Sequence, residues 1–200
     1  MKLYCNLTSP FARKVRVVLR ELGWGDRVEE VVIDPFSSQL PTEFLAANPL
    51  SRIPTLVTDH GEALPDSKLI VDYLQAHADQ PLPTPDSRWA AGRRAVVAEG
   101  VLEAALASVL EKRRPESIVY PAFLDRQQAV IERSIDMLEL EANALSDTEP
   151  GVIDITTGVA LAYLDFRLPY IDWRSRAPGL TRWYGAFNER PSMVATRPTA

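Results

Sequence analysis

Three prolines at alternate positions, Pro81, Pro83 and Pro85, cut this chain in two. Proline fixes φ and has no N–H to donate, so a run of this kind carries neither helix nor sheet and reads as an extended linker. The patterns on either side differ in kind. Residues 1–80 mix strand and helix signals, whereas residues 87–200 show helix signals and no convincing strand. A length of 200 residues suits two small domains joined through 81–86.

In the first section, residues 2–5 and 28–33 read as strands, the second rich in β-branched residues. Between them Phe11, Val15, Val18, Leu19 and Leu22 recur at helical spacing, and Gly23 ends the helix. Strand, helix, strand predicts a parallel pair with a right-handed crossover. A short helix is expected over 41–47. Strands over 55–58 and 62–64 are joined by Asp59-His60-Gly61, and a helix over 67–77 follows. In the second section, helices are expected over 87–113, 121–145, 153–168 and 180–189, with Pro191 marking the end of the last. The 153–168 segment is apolar on most sides and should be the buried centre of its domain.

Composition narrows the function classes. A net charge of −5 offers no basic face for nucleic acid. No run of about 18 apolar residues is long enough for a membrane span. The N-terminus enters a strand pattern at once and lacks a leader's apolar stretch, and Cys5 is the single cysteine, so a cytoplasmic location is expected. One cysteine and two scattered histidines, His60 and His77, do not make a zinc site, and no metal is expected. No glycine-rich phosphate loop follows a strand.

Three loop–helix junctions remain. At Thr8-Ser9-Pro10, Ser9 suits an N-cap and Pro10 the first helical position. Capping alone accounts for both. The same geometry also suits an anion, because a helix N-terminus presents free N–H groups and a positive dipole end, and a capping hydroxyl can donate its own hydrogen. A thiolate there would be favoured over a thiol, whose pKa is about 8.5 when free. Arg13, Lys14 and Arg16 add positive charge and are expected to be solvated. At Arg52-Ile53-Pro54-Thr55 a proline directly precedes a strand. Only about 5% of such bonds are cis, so trans is the expectation from residues alone; a cis bond would turn the Ile53 backbone outward as an edge for an extended peptide. At Pro65-Asp66-Ser67, capping again suffices, but Ser67 with the helix N–H groups could take a carboxylate and Asp66 an ammonium. Jointly the three junctions describe a pocket for a small peptide with a thiol, a carboxylate and an α-amino-acid end.

These junctions resemble those of the cytosolic glutathione transferase superfamily, in the bacterial, serine-type form. The resemblance covers essentially the full length. It rests on Ser9-Pro10-Phe11-Ala12-Arg13-Lys14-Val15, on the 48–56 segment Asn48-Pro49-Leu50-Ser51-Arg52-Ile53-Pro54-Thr55-Leu56, on the 64–74 segment that opens Leu64-Pro65-Asp66-Ser67, and on Ala160 to Arg167. It implies an α/β thioredoxin-like N-terminal domain, an all-α C-terminal domain and a cis bond at Ile53-Pro54. It implies glutathione as co-substrate. Ser9 would activate the thiol, Ile53 would bond the cysteinyl part through its main chain, and Asp66 and Ser67 would hold the γ-glutamyl end. Arg52 would reach the glycyl carboxylate, with Gln39 assisting. A small electrophile as second substrate and a homodimer are also implied.

The chain departs from the pattern in two places. Ser9 and Ala12 stand where a thioredoxin-type CxxC pair would be, which excludes thiol–disulfide exchange by such a pair. Gly151 stands three positions before Asp154, where many members carry Ser or Thr, so Asp154 is expected to cap its helix alone, at a cost of roughly 0.5–1 kcal/mol at most. The implied reaction is attack of the glutathione thiolate on an electrophilic carbon. A glutathione-binding module without catalysis, a glutathione-dependent isomerase or dehalogenase, and a structural protein with three capped helices are the other readings the residues allow.

Overall fold

The computed structural model describes residues 1–84 and 87–199, with the backbone alone at Arg88. Pro85 and Asp86, the end of the expected 81–86 linker, lie outside the described residues. The chain forms two compact units, one of residues 1–82 and 191–200 and one of residues 83–190.

The first unit is built on four strands, β1 (Lys2–Cys5), β2 (Glu29–Val32), β3 (Thr55–Val57) and β4 (Ala63–Pro65), in the order β2-β1-β3-β4. The β1–β2 pair is parallel, as the helix between them requires, and β3 runs antiparallel to both β1 and β4. Strand alternation sends Tyr4 to one face and Leu3 and Cys5 to the other. Tyr4 packs on Phe44 of α2 (Thr42–Ala47), with ring centroids 5.3 Å apart, and Ile33 completes that cluster. Helices α1 (Pro10–Glu21) and α3 (Ser67–His77) pack together and bury Val15, Val18, Leu19, Ile70 and Leu74. This is the α/β half expected from the sequence. The linker begins tied down: the Gln75 side-chain amide donates to the Leu82 carbonyl at 3.3 Å, and the Leu82 N–H returns a bond to it at 3.0 Å.

The second unit is helical: α4 (Arg88–Lys112), α5 (Pro121–Leu140), α6 (Val152–Arg167), α7 (Trp173–Arg176) and α8 (Pro178–Phe187). The long α4 packs on both α5 and α6. Every residue from Asp154 to Leu164 of α6 is buried, so the apolar segment is the centre of its unit. Gly158 lets α8 come close, since a Cβ there would stand 2.3 Å from Phe187 Cε1.

Boundaries that differ from the sequence expectation by more than one residue lie in the second section. Helix α5 stops at Leu140 and a tighter turn covers Ala142–Ala144, so Leu145 lies beyond it. The last long helix opens at Pro178 rather than Leu180. Pro191 does not simply close the chain's helices; it opens α9 (Pro191–Val194), because proline is as comfortable at a first helical position as after a helix end. The segment that Pro191 opens, expected to belong with the helical section, falls in the first unit, where α9 packs against α1.

The Gly151 departure has a packing cause. Asp154 Oδ2 accepts from the Gly151 N–H at 2.7 Å and Oδ1 from the Ser146 N–H at 3.0 Å, and glycine has no side chain to return a bond. Burial pushes the Asp154 carboxyl above the usual range, and these N–H groups pull it back. A Cβ at residue 151 would lie 2.5 Å from the Pro83 carbonyl oxygen. Restoring the pattern with Gly151→Ser is therefore expected to lower stability by about 1–2 kcal/mol rather than add a cap, read as a lower urea midpoint; a raised midpoint would contradict this packing account.

Candidate functional site

The three junctions are brought together by strand register. Tyr4 pairs with Thr55, and Thr55 with Pro65. The end of β1, the start of β3 and the end of β4 therefore lie side by side, and the loops carrying Ser9, Ile53 and Asp66 leave from one end of the sheet. Neighbouring strands are about 4.8 Å apart, so a peptide-sized ligand spans all three.

At the first junction Asn6 shapes the turn. Its amide donates to the Ile33 carbonyl at 3.0 Å, and its Oδ1 accepts from the Thr8 N–H at 3.0 Å and the Thr8 hydroxyl at 2.8 Å. The Ser9 N–H then bonds the Asn6 carbonyl at 3.1 Å. Ser9 is the N-cap of α1, its Oγ accepting from the Ala12 N–H at 3.3 Å. As an acceptor it leaves its own hydrogen for another partner, and it donates to none of the described residues. The three basic residues behind it are buried rather than solvated, at 4, 2 and 6% exposure for Arg13, Lys14 and Arg16. Arg16 and Arg20 both pair with Glu30, at 2.7 and 2.9 Å.

At the second junction the Ile53-Pro54 bond is cis, against the expectation from residues alone and in line with the family resemblance. The loop is held by Asn48, which opens the 48–56 segment but to which the sequence alone assigns no role. Asn48 is fully buried, and its amide donates to the Arg52 carbonyl and to Thr55 Oγ1, both at 2.9 Å. Its Oδ1 accepts from the Leu50 N–H at 3.0 Å. Ser51 takes a positive φ of 53° inside this tight loop. Ile53 is half-buried, while the Arg52 side chain is exposed.

At the third junction Asp66, not Ser67, is the N-cap of α3. Its Oδ1 accepts from the Lys68 N–H at 2.8 Å and the Leu69 N–H at 3.3 Å. The cap thus occupies N–H groups that could have met a carboxylate, leaving Oδ2 and the Ser67 N–H and hydroxyl. Asp66 has φ 76°, a conformation that costs a non-glycine residue roughly 1–3 kcal/mol and gathers at functional sites. Ser67 is 2% exposed.

Cys5 ends β1 beside these loops, but it is fully buried. Burial, with Glu30 second, pushes its thiol up to about 11, so it stays protonated and is no nucleophile. No group of three or more His, Cys, Asp or Glu is placed to hold a metal among the described residues. None of the described helices is long and apolar enough to cross a membrane.

The fold and these junctions define a two-unit protein with a thioredoxin-like half and a helical half. Residues 3–82 match the family model for the glutathione S-transferase N-terminal domain, and residues 121–186 that for its C-terminal domain. The chain belongs to the glutathione S-transferase family. It is 31% identical to the uncharacterized GST-like protein YibF of Escherichia coli K12, over 99% of this chain and 98% of that one. It also matches the maleylacetoacetate isomerase of Pseudomonas aeruginosa PAO1, 34% identical over 83 residues, 40% of this chain and 39% of that protein. Among solved structures, a glutathione transferase family member of Pseudomonas fluorescens Pf-5 with bound glutathione superposes with a TM-score of 0.91 at 35% identity, covering 100% of this chain and 99% of that one. A glutathione S-transferase of Methylobacillus flagellatus KT with glutathione bound gives 0.88 at 34% identity, with 99% of each chain covered.

Two outcomes are expected. Asn48→Ala leaves the Leu50 N–H without its partner and takes one of two bonds from the Thr55 hydroxyl, which still donates to the Arg52 carbonyl at 2.9 Å, so stability should fall by about 1–3 kcal/mol in chemical denaturation; an unchanged midpoint would show that the loop holds itself. Cys5 should resist alkylation by iodoacetamide in the native protein and react only after unfolding; rapid native labelling would contradict the buried, protonated thiol.

Proposed function

We propose that the protein is a glutathione transferase of the serine type, acting in the cytoplasm as a homodimer on a small hydrophobic electrophile. One observation carries the reading: the strand register sets Ser9, Ile53, Asp66 and Ser67 around one end of the sheet, with the Ser9 hydroxyl uncommitted as a donor. Relatives with glutathione bound share this fold over the whole chain.

In this reading the Ile53 backbone bonds the cysteinyl part of glutathione as an added strand would. Asp66 Oδ2 meets the γ-glutamyl ammonium, and the Ser67 N–H and hydroxyl meet its carboxylate. Arg52, exposed at the loop, reaches the glycyl carboxylate. The sulfur then lies at the N-terminus of α1. Ser9 donates to it, the helix dipole adds positive potential, and the thiol ionises below its ordinary pKa. The thiolate forms a C–S bond to the electrophile as the leaving group departs or an activated double bond takes up the electron pair. Ser9 forms no covalent bond. A second reading, a glutathione-dependent isomerase, is favoured by the partial match to maleylacetoacetate isomerase; product analysis that finds a rearranged substrate and unconsumed glutathione would select it.

The test is a pH titration of thiolate absorbance for bound glutathione, in wild type and Ser9→Ala. The wild type should show a pKa below about 8.5 that returns toward that value in the variant, with kcat/KM falling about 100-fold. Binding with an unshifted thiol would indicate a binding module, and no binding would overturn the glutathione reading.

A further inference from the structure

Arg13 lies one turn beyond Ser9 in α1, and its N–H closes onto the Ser9 carbonyl at 2.9 Å. A guanidinium is seldom buried unless it is hydrogen-bonded, and Arg13 is 4% exposed. Its partners include groups from the far end of the chain. Nη2 donates to the Met193 carbonyl at 3.1 Å, and Nε to the Thr196 hydroxyl at 3.4 Å. That hydroxyl donates in turn to the Ser192 carbonyl at 2.8 Å, and Met193 and Thr196 are fully buried. At the other end of α1 the Ser192 hydroxyl donates to the Glu21 carboxylate. The 191–199 segment is thus fastened to α1 at Arg13, near its start, and at Glu21, its last residue.

The apolar face of α1 fixes how deeply the helix sits, but hydrophobic contact is non-directional and tolerates small rotations and slides. Hydrogen bonds do not. The Arg13 bonds are made one turn from Ser9, so they fix the rotation and axial position of the turn that carries the hydroxyl. A donor aimed at a developing or resting anion must be held within about 0.5 Å of its working position. We infer that Arg13 is a positioning residue for the Ser9 hydroxyl, and that the 191–199 segment, through the Met193 carbonyl and the Thr196 hydroxyl, sets where that hydroxyl stands. The inference rests on the glutathione reading above. It makes the C-terminal segment part of the thiol site although it lies some 180 residues away in sequence.

The experiment uses the full-length protein with glutathione as probe. Thr196→Val keeps the side chain's shape and removes the hydroxyl, Thr196→Ser restores it, and Arg13→Gln removes the charge and shortens the reach. In Thr196→Val the pKa of bound glutathione should rise by about half a unit, so that thiolate and kcat measured well below that pKa fall roughly threefold, while KM for glutathione is unchanged. Thr196→Ser should recover the wild-type profile. Arg13→Gln should shift the same pKa further if it folds; Thr196→Val decides the matter if it does not. A lower melting temperature in Thr196→Val with an unshifted thiol and unchanged kcat would overturn the inference, leaving a clasp that only stabilises. Failure of the wild type to bind glutathione is a separate result, which removes the underlying reading.

Discussion

The pairing of Tyr4 with Thr55 and of Thr55 with Pro65 is the constraint on which the site depends. The three strands involved are only three or four residues long. A slip of one residue in any of them would turn its side chains to the opposite face and carry its loop along the sheet. The register is fixed by burial on both faces. Leu3, Cys5 and Leu56 are fully buried, and so is Phe44, which packs against Tyr4. Packing that would be ordinary in any small α/β domain thereby decides where Ser9, Ile53 and Asp66 stand.

From that frame Ser9, Ile53 and Asp66 hang on loops, and each loop is stiffened by a short polar side chain rather than by a sheet ladder. Asn6 holds the turn before Ser9, Asn48 the loop before Pro54, and the Asp66 carboxylate the first turn of α3. Asparagine serves because it donates and accepts at once, which lets one side chain satisfy several loop backbone groups. Asp66 holds its helix from a strained backbone, and the same residue has a carboxylate oxygen left for a ligand.

Much of this was legible in the residues. Ser9-Pro10 marks the start of α1, the 3.6-residue recurrence marks its buried face, and the three junctions picked out in the sequence lie together at one end of the sheet. The apolar character of the 153–168 segment announced a buried helix, and α6 is one. What stayed hidden has physical reasons. The cis bond at Pro54 and the positive φ of Asp66 depend on tertiary contacts that no local pattern encodes. Arg13, Lys14 and Arg16 look like solvent-facing residues until partners distant in sequence meet Arg13 and Arg16. The end of α5 has neither Gly nor Pro to mark it. Pro191 reads equally as the end of one helix or the start of another, and nothing local marks that the segment it opens belongs with the first unit.

A crystal structure of the protein with glutathione tests the central claim most directly. In that crystal the cysteinyl backbone should pair with Ile53, the γ-glutamyl end should lie on Asp66 and Ser67, and the sulfur should stand within hydrogen-bonding distance of Ser9 Oγ. Glutathione bound elsewhere, or bound here with its sulfur turned away from Ser9, would contradict it.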